Sequence, residues 1–131
     1  MTLLLRTFVL IGCAWLGGWI TYGLALWLLY RESPFQHDVY IMGFWSLLYG
    51  LPFCLFIIIP SFLGLRAFFK SRFSRSAHAL TACLLSFGYV TLLFGLPVSP
   101  EMVLFHLFAA ASSFIFGYNF SWVMTGRSES L

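Results

Sequence analysis

RAFFKSRFSRSAH, residues 66–78, carries Arg66, Lys70, Arg72 and Arg75, four of the seven basic residues in the chain, within ten positions. On either side of it the chain is almost free of charge. Four runs, 7–30, 39–65, 79–100 and 102–126, contain no Asp, Glu, Lys or Arg. Each exceeds the roughly 20 residues that a helix needs to cross about 30 Å of hydrocarbon. The basic stretch is either a site for something anionic or the label that keeps one loop in the cytoplasm. Which it is decides how the four runs are arranged.

Composition points to lipid as the solvent. Charged residues are 8% of the chain, against roughly 25% in soluble domains. Hydrophobic residues make up 61% and phenylalanine alone occurs 16 times in 131 residues. A water-soluble domain of this size has too much surface for its volume to hide that content. Membrane strands are excluded, being shorter and alternating in polarity. The expected fold is an all-α integral membrane protein: one membrane domain over 1–131, a compact bundle of four transmembrane helices, with spans near 7–30, 39–65, 78–98 and 102–125. The first run also has features of a signal peptide, with Arg6 before it and Gly23-Leu24-Ala25 as a loose cleavage site. It is too long for a typical signal core and continues through LWLLY, so a retained helix is expected, with cleavage as the alternative.

Four crossings put both termini and the 66–78 stretch on one side, with RESPFQHD (31–38) and VSPE (98–101) on the other. The first side holds Arg6, Arg66, Lys70, Arg72, Arg75 and Arg127, and the second only Arg31. Positive charge stays inside during insertion, so both termini are expected in the cytoplasm. Arg66, Lys70, Arg72 and Arg75 then read as topology determinants that meet anionic lipid headgroups, at about 1 kcal/mol per charge. Phe69 and Phe73, four apart, are expected to dip into the interface beside them. No nucleic-acid partner is expected.

Within the spans, small residues recur at helical spacing, as needed where backbones approach closely in lipid. They are Ala14, Gly18, Thr21 and Ala25 in the first, and Gly43, Ser46, Gly50 and Cys54 in the second. The third has Thr81, Gly88, Thr91 and Gly95, and the fourth Ala109, Ser113 and Gly117. Pro52 and Pro60 predict kinks in the second span. Pro97 and Pro100 end one helix and start the next, with Glu101 at the new N-terminus. Trp27, Tyr30, Tyr40 and Trp122 mark the interfaces. Trp15 and Trp19, with Tyr22 continuing the stripe, form an aromatic ridge near mid-membrane, a candidate partner-binding surface if it does not simply pack in the bundle.

Chemistry-bearing groups are sparse. Cys13, Cys54 and Cys83 are isolated, which argues against a thiol oxidoreductase. His37, His78 and His106 fall in an outer loop, an inner loop and the fourth span, so no shared metal or haem site is expected. No cofactor and no enzymatic activity are expected. The intramembrane polar candidates are His106, Ser113 and Asn119, and a buried ionisable group in a span is a functional candidate. Together these features suggest a binding protein of a bacterial-type inner membrane. Its partner would be lipid plus another membrane protein or a second copy of itself, as for an immunity protein against a pore-forming toxin or a small accessory subunit. The alternative is an oligomeric channel or transporter with a pathway near His106 and the kinked second helix.

Overall fold

The computed structural model describes residues 2–31, 39–69 and 74–125. Lys70, Arg72, Phe73, His37, Arg127 and most of the 31–38 loop lie outside the described residues. The described chain is helical and contains no strand. It runs α1 (Leu3–Tyr30), α2 (Val39–Phe53), a π-helical turn (Cys54–Ile58), α3 (Ile59–Phe69), α4 (Arg75–Phe94), α5 (Pro100–Tyr118) and α6 (Phe120–Thr125). Three segments, Leu3–Leu29, Gly43–Phe69 and Arg75–Phe94, are long and apolar enough to cross a membrane. By length and composition this is a multi-pass, all-α membrane protein. The apolar part of α5, Met102–Tyr118, is shorter.

Local chemistry sets the helix ends. Thr2, Ser74 and Ser99 cap α1, α4 and α5, each hydroxyl accepting from the backbone N–H three residues on, at 3.2, 3.2 and 3.3 Å. That satisfies one of the donors a helix start leaves unpaired. Pro100 follows its cap at the first helical position, where no N–H is needed. Gly95 ends α4 at φ 98°, a backbone conformation that side chains oppose. Because the cap is Ser74, α4 begins inside the basic stretch. His78, expected in the inner loop, therefore sits in the first turn of α4, only 1% exposed.

The two prolines of the second segment bracket its irregularity. Pro52 lies inside α2, and between it and Pro60 the bonding pattern widens, with Ile59 N–H donating to the Cys54 carbonyl five residues back. A π-turn is a known way to absorb such an interruption. The path bends but stays helical.

Contacts between segments define an antiparallel ring in the order α1, α2–α3, α4, α5. Gly17 faces Ile115 and Gly18 faces Ser112 and Phe108, while Tyr22 and Leu26 cluster with Leu104 further along. Trp15 meets Ser46, and Trp19 lies beside Gly43. Tyr49 touches Phe94, Phe53 stacks on Tyr89, and Phe62 packs on His78. His78 and Ala79 in turn abut Gly117, and His106 reaches Thr91. The start of α1, the end of α3, the start of α4 and α6 consequently share one end of the bundle. The core at that end is aromatic: Phe62, His78, Phe116 and Phe120 are each at most 2% exposed.

The closest crossings use glycine. A Cβ on Gly117 would stand 2.7 Å from the His78 carbonyl oxygen and 2.9 Å from Ala79 Cα, both backbone atoms that have nowhere to go. A Cβ on Gly18 would overlap Ser112 Oγ and press on Phe108. By contrast, Gly50 and Gly88 have nothing within 4 Å of that position. The buried stripe of α4 is Ala79, Ala82, Ser86 and Val90, and the Gly88 side is exposed.

Candidate functional site

The backbones of α2 and α3 scarcely approach α1, α4 and α5, and side chains bridge the difference. Two hydrogen bonds do much of this. Trp15 Nε1 donates to Ser46 Oγ at 2.8 Å, and Ser46 in turn donates to the Gly43 carbonyl at 2.8 Å. Tyr89 Oη donates to the Tyr49 carbonyl at 3.0 Å, while the Tyr89 ring stacks on Phe53 at 4.3 Å. In hydrocarbon a polar side chain without a partner is costly, so each bond holds α2 at a defined distance from its neighbours.

Between these ties lies a partly open cavity of about 370 Å³, bounded by α1, α2, α4 and α5. Its wall is almost entirely ring and hydrocarbon. Trp15, Trp19 and Tyr22 line it from α1, Trp45 and Phe53 from α2, and Phe108 from α5. If it were a closed void, its loss of contacts at about 24 cal/mol per Å³ would cost roughly 9 kcal/mol, as much as many domains have in total.

The aromatic ridge anticipated on α1 points into this space. Trp15 and Trp19 are half-buried, and Tyr22 is 7% exposed. Trp19 meets Trp15, Tyr22 and Phe108 edge-on, at 6.1, 5.2 and 5.4 Å between ring centroids. Two polar atoms at the wall, Trp19 Nε1 and Ser112 Oγ, are covered and have no hydrogen-bond partner.

His106 is held at both nitrogens. Nδ1 lies 2.7 Å from the Met102 carbonyl and Nε2 3.2 Å from Thr91 Oγ1. A carbonyl only accepts, so Nδ1 carries a proton, while the threonine hydroxyl can donate to or accept from Nε2. Both ring nitrogens are thereby engaged, and His106 ties α5 to α4. Ser113, 6% exposed, lines the cavity. Asn119 interrupts the helix between α5 and α6, its Nδ2 donating to the Ile115 carbonyl at 2.8 Å. His106 and Asn119 stand thirteen residues apart on nearly continuous helix, roughly 20 Å, so the three polar candidates are not brought together.

Arg66 is half-buried near the end of α3. Arg75 does more than label a loop. Its Nε donates to the Tyr118 carbonyl at 2.9 Å, a terminal amine lies 3.5 Å from Asn119 Oδ1, and the guanidinium sits 4.0 Å above the Tyr118 ring. It thus covers the carbonyl end of α5, where a cation complements the helix dipole. Nothing in the spacing of the basic residues distinguishes it from Arg66. The Ser46 and Tyr89 ties were also missed from sequence, although each is a polar group within an apolar run. Among the described residues no three of His, Cys, Asp and Glu gather as metal ligands. The chain matches no protein-family model, no curated protein and no solved structure.

Proposed function

We propose that this is a non-enzymatic protein of a bacterial-type inner membrane that acts by binding another membrane-embedded protein. It would serve as a small accessory subunit or as an immunity protein that blocks a pore-forming toxin within the bilayer. In this reading the chain crosses four times, with α5 and α6 as the last crossing and both termini in the cytoplasm. The 19 residues of α5 rise roughly 28 Å, close to the hydrocarbon thickness, and α6 prolongs them. Arg6, Arg66 and Arg75 fall at the end of the bundle where α1 starts, which supports that end as the inner one.

The observation that carries the binding reading is an exposed aromatic row that begins at Phe44 on the loosely tied α2 and runs on through Trp45, Tyr49, Phe94 and Phe105, which line the partly open cavity. Phe44, Trp45 and Tyr49 are 62%, 47% and 40% exposed. They touch one another in sequence, and the row continues through Phe94 to Phe105. Large rings offer contact area at little entropic cost and dominate many interfaces. Trp15 and Trp19 position α2 through Ser46 and Gly43, and with Tyr22 they line the same cavity. The channel or transporter alternative is less well supported, because His106 and Asn119 are engaged internally and far apart.

Photo-crosslinking in native membranes tests the proposal. A crosslinking side chain at position 44 or 48 should give one discrete protein adduct. The same probe at 92, on the outward face of α4 where Leu92 is 88% exposed, should give lipid adducts only. Lipid adducts alone at all three positions would refute the partner reading.

A further inference from the structure

We propose that α2 is a hinged flap, which swings outward about the π-helical turn and opens the cavity sideways to the bilayer while α3 stays in place. The two prolines build the hinge. Pro52 and Pro60 have no N–H, so the carbonyls of Leu48 and Phe56, one turn earlier, lose their usual helical donors. Between the prolines the bonded turn is wider by one residue, with Ile59 N–H on the Cys54 carbonyl. Missing bonds on both sides of a widened turn make this the least stiff stretch of the segment.

The two sides of the hinge are anchored differently. On the inner side Ile58 and Phe62 are 2% and 0% exposed, and Phe62 packs on His78, Phe116 and Phe120. On the outer side every residue from Phe44 to Pro52 is half-buried or exposed. That half is held by the Trp15–Ser46 and Tyr89–Tyr49 hydrogen bonds, and by ring contacts at Gly43 and Tyr49. Inward movement is blocked, because Trp15 and Trp19 stand 3.5 and 3.7 Å from where a Gly43 Cβ would be. Outward movement exchanges core contacts for acyl chains, which are as apolar. Its cost is therefore chiefly the two hydrogen bonds, each of modest net strength. Opening carries Phe44, Trp45 and Tyr49 along with α2 and uncovers Trp15, Trp19 and Tyr22 on the opposite wall. The inference is independent of the protein-partner reading, because its test uses the purified protein alone.

The experiment is double electron–electron resonance on the full-length protein in nanodiscs of phosphatidylcholine and phosphatidylglycerol, with the native cysteines replaced by alanine. Spin labels at Phe44→Cys and Leu92→Cys span the outer half, and labels at Leu63→Cys and Leu80→Cys span the inner half; all four positions are exposed. From Phe53 back to Phe44 the helix rises roughly 13.5 Å. A swing of about 20°, the size of a helix kink, then lengthens the outer distance by about 5 Å. The outer pair should show this second, longer distance, and its share should rise roughly two- to tenfold in Tyr89→Phe, the effect of one lost hydrogen bond. Pro52→Ala with Pro60→Ala should leave a single outer distance; if that protein fails to fold, the Tyr89→Phe comparison decides alone. The inner pair should keep one distance throughout. A single outer distance in Tyr89→Phe would overturn the proposal. So would a second distance that is shorter, one that persists in a folded protein without the two prolines, or an inner pair that splits as well.

Discussion

At the scale of single residues, glycines of similar appearance in the sequence do different work. Gly117 is where α4 and α5 touch backbone to backbone, whereas Gly50 opens onto empty space. Gly117→Ala should therefore destabilise the bundle by about 1–3 kcal/mol, as overpacking against atoms that cannot move does. Gly50→Ala should be neutral or stabilising by up to about 1 kcal/mol through helix propensity alone. Reversible unfolding in mixed micelles measures both, and a Gly117→Ala protein as stable as the wild type would show that the crossing is not this tight. The same contrast separates the arginines. Arg75 closes the end of α5, while Arg6 Nε is covered and has no hydrogen-bond partner among the described residues, a difference that charge counting along the chain has no means to register.

Among the elements, α2 is the outlier. Helices α1, α4 and α5 meet through small residues, while α2 is held off by Trp15–Ser46 and Tyr89–Tyr49. Loss of one such tie should loosen α2 without unfolding the rest. Cys54 reports on this, being 8% exposed beneath the Phe53–Tyr89 stack. With Cys13 and Cys83 replaced by alanine, Tyr89→Phe should cost about 0.5–1.5 kcal/mol and raise the labelling rate of Cys54 by a lipid-soluble maleimide several-fold. An unchanged labelling rate would mean that packing, and not the hydroxyl, fixes α2. The π-turn beyond Phe53 belongs to the same logic, since a segment bent between two prolines cannot lie flat against a straight neighbour.

For the whole molecule, hydropathy alone located the helices, because the absence of charge over 39–65 or 79–100 needs no knowledge of neighbours. It could not assign their faces. Lipid is as apolar as the core, so Gly88 on an exposed face and Ala82 in the interior read alike. For the same reason the stripe of Trp15, Trp19 and Tyr22 was visible in the sequence, but its direction, inward onto a cavity, was not. His78 was misplaced because the charges before it suggested a loop, whereas Ser74 starts the helix among them. The cavity itself arises from three-dimensional spacing between α2 and its neighbours, which leaves no periodic trace. The proposed arrangement is four crossings, the last of them through Met102–Tyr118, which is shorter than the three segments long enough to span. Paired topology reporters test it most directly, fused after residue 131, within 70–73 and within 32–38. The first two should report cytoplasm and the third the outside. A reporter after residue 131 that is active only outside the membrane would show that α5 and α6 do not cross, and would contradict the four-crossing bundle.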